Sequence, residues 1–366
     1  MSKPIRILHV VGNMNRGGTE TLLMSIYRNI DRKSIQFDFV EHTNLESAYD
    51  PEIRSLGGRI FRIPRYKIYN HFNYIKHWEK LLTENEFAAI HGHINSTAGI
   101  YLKVATSYNI PTIAHSHNVN TGIDIKSKVK KIYNRNINSV SDYKLACSKD
   151  AGHSLYGANF DDFKVIKNGI EVDKFIYNPV KRIEIRRELD LSENSFVIGH
   201  IGNYNPVKNH EFVVSVFEKI HTELSESKLI LIGKDVEDNI KNTISDSEII
   251  KSIKFLGSRA DVPDLLNAID VFVLPSKVEG LGISLIESQA SGLISFASTN
   301  VPKETKITNL IHYLPIDNPN SANIWAEEIL RYQGYLRVNL GSDIIENGYD
   351  IKTIASYLES FYINII

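Results

Sequence analysis

Two carboxylates eight residues apart, Glu279 and Glu287, bracket a glycine-rich turn in the stretch Pro275-Ser-Lys-Val-Glu-Gly-Leu-Gly-Ile-Ser-Leu-Ile-Glu-Ser-Gln-Ala-Ser-Gly292. The apolar run Val271–Leu274 before it has the length of one buried parallel strand. After it, Ile283, Leu285, Ile286 and Ala290 recur at helical spacing, and Gly292 is a helix stop. Strand, glycine turn and helix start leave unpaired N–H groups at the positive end of a helix dipole, which suits an anion. A carboxylate there disfavours a second anion, so Glu279 fits another task, accepting hydrogen bonds from a neutral polyol. Taken alone, the loop reads equally well as a capped helix with a solvated Glu.

A second strand-to-helix loop, Gly202-Asn-Tyr-Asn-Pro-Val-Lys-Asn209, places Lys208 at a helix start, where a cation is unfavourable unless an anion is bound. Lys208 and the helix end after Gly282 are positioned to clamp a diphosphate together. No Asp-x-Asp motif occurs in the chain, so fixed positive groups rather than a metal are expected to stabilise a leaving phosphate. Two histidine pairs, His91-Gly-His93 and His115-Ser-His117, end predicted strands. Spaced i, i+2, the members of a pair point the same way in extended chain. No carboxylate or Cys completes either pair, so the expectation is one histidine facing a neutral hydroxyl and no metal. Lys126, Lys128, Lys130, Lys131 and Arg135, with Ile125 and Val129 between them, read as a basic amphipathic element. Such a face suits anionic lipid or a phosphate-bearing acceptor, and also plain solvation.

These residues need elements to hold them. Ile5–Val11 is a strand-length run leading into Gly12-Asn-Met-Asn-Arg-Gly-Gly18 and then a helical pattern over 19–30. That is the opening of a doubly wound α/β domain, although the loop is neither a Gly-x-Gly-x-x-Gly fingerprint nor a Walker A loop. Gly17-Gly18 lets backbone approach a ligand. Strand signals at 37–40, 59–63, 88–91, 112–114, 143–146 and 165–166 alternate with helical patterns at 50–56, 71–85 and 97–108, which predicts a mostly parallel sheet. The plan restarts after residue 175. A basic helix over 181–188 is followed by strands at 196–201, 228–232, 253–256, 271–274 and 293–297 and a helix over 210–224. The tail, 350–366, has helical spacing at Ile354, Leu358 and Phe361.

Length agrees with two domains: 366 residues is long for one core. The chain is 42% hydrophobic and 23% charged with a net charge of −1, which gives no global pull toward nucleic acid. Charge is nevertheless uneven. Residues 1–176 carry 24 Lys+Arg against 17 Asp+Glu, and the remainder 18 against 26, which suggests different partners for the two halves. A single cysteine, Cys147, excludes an internal disulfide and argues for a small buried hydrophobe. The N-terminus lacks the apolar core of a signal peptide, and no run of 18 apolar residues occurs, so a cytoplasmic location is expected.

The Glu279–Glu287 block, Gly280-Leu-Gly282, Gly202…Lys208-Asn209, Asn168-Gly-Ile170, Gly17-Gly18 and His115-Ser-His-Asn118 together resemble the family-4 retaining glycosyltransferases, most closely those of bacterial capsular and exopolysaccharide biosynthesis. The resemblance implies a GT-B fold: two Rossmann-like doubly wound domains facing a cleft, with the C-terminal helix crossing back to the N-terminal domain. Residues 1–175 would bind the acceptor, joined by the helix at about 350–366, and residues 176–349 the nucleotide-sugar donor. Lys208 matches the family's diphosphate lysine, Glu287 the carboxylate on the ribose, and Glu279 the one near the donor sugar. Gly280, Leu281, Gly282 and Ile283 form the loop whose amides meet the phosphates, Gly17 and Gly18 approach them from the other domain, and His117 matches a histidine near sugar and acceptor. Implied partners are a UDP-type sugar and a glycan or lipid-linked acceptor, with peripheral contact to anionic membrane at its inner face, no cofactor, no metal and no nucleic acid. Where the family has Arg five residues before the lysine, this chain has Asn203. One neutral hydrogen bond there replaces a charged bidentate clamp, and Lys234 or Arg259 would have to compensate. Otherwise the chain resembles a sugar-nucleotide-binding partner without turnover, or another enzyme on the same fold such as an epimerase.

Overall fold

In a computed structural model describing residues 3–117 and 136–366, the chain divides into two compact units. The first comprises Met1–Gly169 with Asp350–Ile366, and the second Ile170–Tyr349. The basic element carrying Lys126, Lys128, Lys130 and Lys131 lies outside the described residues.

The first unit is built on β1 (Ile5–Val11), β2 (Ile35–Glu41), β3 (Ile60–Arg62), β4 (Ala89–Gly92), β5 (Thr112–Ser116), β6 (Tyr143–Ala146) and β7 (Lys164–Val165). They form one sheet in the order β3-β2-β1-β4-β5-β6-β7, every pair parallel. Strand periodicity sorts β1 between two cores. Ile7 and Val11 pack with Phe37, Ile113 and the C-terminal helix Ile351–Asn364, while Leu8 and Val10 pack with Trp78 and Tyr101 on the other face. The C-terminal helix starts at Asp350, whose carboxylate accepts the Thr353 amide, and buries Ile354, Leu358 and Tyr362 in this unit. Cys147 is buried as expected.

The second unit repeats the plan. Its strands are β8 (Val197–Ile201), β9 (Lys228–Ile232), β10 (Ile253–Phe255), β11 (Val271–Leu274), β12 (Ile294–Ser298) and β13 (Ile311–Leu314). They are parallel in the order β10-β9-β8-β11-β12-β13. The strand β13 has no counterpart among the expected ones. It is four residues with His and Tyr inside it, and its pairing with β12 rather than its own pattern makes it a strand. Asp270, just before β11, accepts from Arg182 at 2.6 Å, Arg186 at 2.7 Å and the Val197 amide at 2.7 Å. That knot fastens the basic helix Pro179–Glu188 to the sheet.

In both units the strand order reverses direction at one place, between β1 and β4 and between β8 and β11. Connections leave a doubly wound sheet on opposite sides of such a point, and the crevice outside its carboxyl ends receives ligands.

Candidate active site

The carboxyl end of β8 feeds the loop Gly202–Asn209, and that of β11 feeds Pro275–Gly282. The loops are tied together by two bonds: the Lys277 amide donates to the Val207 carbonyl at 2.7 Å, and the Asn209 amide group donates to the Pro275 carbonyl at 3.2 Å. Asn209 takes a left-handed backbone (φ 62°), which Asn tolerates better than most residues and which turns the chain into the helix His210–Glu223. A Cβ at Gly233, at the end of β9, would overlap the Gly202 carbonyl, so β9's loop also closes against this site.

That packing brings Lys208 and Glu279 together. Lys208 Nζ lies 2.6 Å from Glu279 Oε1, and the Ser276 hydroxyl donates to the same oxygen at 2.7 Å. The Glu279 side chain is 9% exposed and that of Lys208 24%, so the pair sits in the wall of the loops, with Lys208 still reachable. Three residues on, Gly282 adopts φ 85°, a conformation that costs other residues about 1–2 kcal/mol. It starts the helix Ile283–Ala290, whose first turn has no side-chain cap. The amides of that turn are oriented donors at the positive end of the helix. The Leu281 side chain is buried, so only its backbone faces a ligand.

Glu287 lies one helical turn in. Its carboxylate has no hydrogen-bond or ion-pair partner among the described residues, and burial pushes its pKa up to about 7. A partly buried carboxyl without a partner is a site open to donors. His200, on β8, was not foreseen. It is fully buried, its Nδ1 faces the Val273 carbonyl at 2.9 Å, its Nε2 has no partner, and burial holds it neutral. Its only sequence signal was its place on an inward-facing strand position near the loop.

Asn203 is exposed, and its carboxamide oxygen accepts the Lys234 amide at 2.8 Å. It braces the β8 and β9 loops to one another. Of the two candidate substitutes for an arginine, Arg259 is engaged by Asp261 and Glu188, whereas Lys234 is 70% exposed with Asp235 3.6 Å away.

In the first unit, Gly17 is the N-cap of the helix Gly18–Asn29 without a side-chain cap. A Cβ on Gly17 would overlap the Glu20 carboxylate, which folds back over that helix end. The chain's own carboxyl therefore stands where an anion would approach Gly17 and Gly18. His117, just past β5, is buried and neutral, its pKa lowered to about 4 by burial, with its Nε2 2.8 Å from His93 Nδ1.

Two family models match successive parts of the chain: Glycosyltransferase Family 4 over residues 16–174 and Glycosyl transferases group 1 over residues 181–330. EpsF of Bacillus subtilis (strain 168), named as a glycosyltransferase, is 32% identical over 336 residues, covering 89% of this chain and 87% of EpsF. The capsular polysaccharide biosynthesis glycosyltransferase CapH of Staphylococcus aureus is 23% identical, covering 98% of this chain and 99% of CapH. Among solved structures, Anabaena HepE in complex with UDP and glucose has the same fold, with a TM-score of 0.78 at 17% identity over 98% of this chain and 100% of HepE. The repeated switch-point architecture is thus the GT-B-type fold, and the chain belongs to the family 4 glycosyltransferases.

Proposed function

We propose that the protein is a retaining glycosyltransferase that moves a hexosyl or N-acetylhexosaminyl group from a UDP-sugar to a glycan or lipid-linked acceptor in bacterial surface-polysaccharide assembly. The observation that carries this reading is the Lys208–Glu279 pair, 2.6 Å apart, beside the uncapped helix start at Gly282. A cation already held next to a helix start without a side-chain cap is a diphosphate site once the phosphate replaces Glu279 as the partner of Lys208. The partner-free Glu287 carboxyl supplies the acceptor that ribose hydroxyls require. CapH's role in capsule biosynthesis and the UDP bound to HepE favour the substrate class.

In this reaction the bond from the sugar's anomeric carbon to the diphosphate breaks, and its electron pair leaves with the phosphate. Lys208 and the amides after Gly282 stabilise that charge, a term worth on the order of 2–4 kcal/mol per donor. The acceptor hydroxyl attacks the same face, and its proton passes to the departing phosphate oxygen. Glu279 orients the donor sugar. No metal is needed at the diphosphate in this scheme. No helix among the described residues is long and apolar enough to cross a membrane. A lipid-linked acceptor would be met by peripheral contact at the inner face of the cell membrane.

Lys208→Ala tests the reading. Transfer should fall by a factor on the order of 100 or more while the melting temperature stays near that of the parent. Wild-type turnover in that variant would overturn the donor-site assignment. The engagement of Asn203 with a backbone amide and of Arg259 with two carboxylates favours one alternative, a sugar-nucleotide-binding partner without turnover. Donor consumption by the purified chain excludes it.

A further inference from the structure

Five imidazoles collect at the carboxyl ends of β1, β4 and β5 in the first unit: His9, His91, His93, His115 and His117. The β1–β4 register sets His9 directly beside His91. Two chains of contacts run through the group. His9 Nδ1 meets His93 Nε2 at 3.0 Å, and His93 Nδ1 meets His117 Nε2 at 2.8 Å. Tyr362 from the C-terminal helix meets His91 Nδ1 at 2.6 Å, and His91 Nε2 meets His115 Nδ1 at 3.1 Å.

The accounting of protons leaves loose ends. A neutral imidazole has one N–H and one bare nitrogen. The chains terminate at His9 Nε2 and His115 Nε2, both buried and without a hydrogen-bond partner among the described residues, and at His117, whose remaining partner is the Asn168 side chain. A buried polar atom left unpaired costs about 1–3 kcal/mol. A cavity of about 10 Å³ opens among His91, His93, His115, His117 and Tyr362, walled by aliphatic side chains such as Leu22 and Ile354, with Lys167 also in its lining. That is room for about one small atom. One ring nitrogen from each of His93, His115 and His117 lies within 4.8 Å of the others.

We propose that His93, His115 and His117 hold one divalent first-row transition-metal ion of the zinc class. An all-imidazole donor set suits zinc, cobalt, nickel or copper and not the oxygen-seeking magnesium or calcium. A supporting shell already exists. His115 Nδ1 is held by His91, itself held by Tyr362, which leaves His115 Nε2 for the ion, and His9 holds His93 Nε2. Ligand histidines characteristically have their second nitrogen fixed in this way. Tetrahedral binding at about 2.0–2.1 Å requires the His93–His117 contact to open to roughly 3.3 Å. The trio His9, His91 and His93 shares a ligand with this one, but His9 does not line the cavity. With its Nε2 on the ion, His117 keeps Nδ1–H as a donor. The ion takes no part in the transfer chemistry above, and the site stands or falls independently of the donor reading.

The test uses the full chain without an affinity tag, stripped with EDTA and titrated with Co²⁺. One Co²⁺ per chain should bind with visible ligand-field absorption that Zn²⁺ abolishes and Mg²⁺ does not. Zn²⁺ should also raise the melting temperature reported by Trp78, which lies in the first unit. His115→Ala should weaken Co²⁺ binding at least 100-fold, and His9→Gln by no more than the 10–100-fold of a supporting residue. Absence of saturable Co²⁺ binding by the unmodified chain overturns the proposal, whatever the fate of the variants. So does wild-type affinity in folded His115→Ala, or a greater loss in His9→Gln than in His115→Ala.

Discussion

In the first unit, β1 and β4 end on His9, His91 and His93, and in the second, β8 and β11 end on the Lys208 and Glu279 loops. The strand order around these two places is the same. The first is filled with neutral rings that burial holds unprotonated, and no carboxylate belongs to either of its histidine trios. Its helix start at Gly17 is covered by the chain's own Glu20. The second keeps an ion pair, an uncapped helix start and a partner-free carboxyl. One sheet topology thus offers a crevice twice, and the side chains at the strand ends decide which crevice suits a charged leaving group.

Acidification should separate the two units most. In metal-free protein, His9 and His117 have folded pKa values of about 3 and about 4, against 6.5 unperturbed. The unfolded chain takes up these protons as pH falls below 6.5 while the folded chain does not, so stability is lost from there downward. From pH 7 to pH 5 these two groups alone cost on the order of 4 kcal/mol. In the second unit buried His200 and His210 act in the same sense, but Glu287 opposes them: its raised pKa makes the folded state most favoured at low pH and less so as pH rises from 4.5 to about 7. Trp78 and Trp325, the chain's two tryptophans, lie buried one in each unit. In Trp325→Phe and Trp78→Phe variants, the first unit's fluorescence transition should move further on acidification than the second's. Equal movement would erase the contrast.

Glu279→Gln comes next. Transfer should drop on the order of 100-fold while UDP affinity is kept, because freeing Lys208 does not remove it from the phosphates. A smaller effect is expected from Gly282→Ala, where φ 85° and the Leu274 side chain 3.3 Å away penalise a Cβ. About 1–2 kcal/mol should be lost from the transition reported by Trp325 and none from that of Trp78. Glu287→Gln should weaken UDP binding about tenfold at pH 8 and flatten its pH dependence. In the parent, affinity should decline below about pH 7 as the carboxyl takes up a proton and stops accepting from hydroxyls.

Much of the fold was legible because most strands are short apolar runs between turn residues, and the main helices carry their period in full. Lys208 and Glu279 are 71 residues apart in sequence, and their meeting follows from two strand-to-helix loops at one switch point. What spacing does not encode is cross-strand register. The two histidine pairs were visible, but His9 and Tyr362 join them only through the β1–β4 pairing and the docking of the last helix. Nor does spacing show a side chain folding back. Glu20 over Gly17 and Asn203 on the Lys234 amide are local choices made by packing. The strand β13 depends wholly on its neighbour β12.

The central claim is that the second unit's switch point, and Lys208 in particular, holds the donor's diphosphate. Calorimetric titration of UDP into the parent and into Lys208→Ala, with Trp325 fluorescence confirming the fold, tests it most directly. The parent should bind saturably and the variant at least tenfold more weakly. Equal affinity in the two proteins would contradict it.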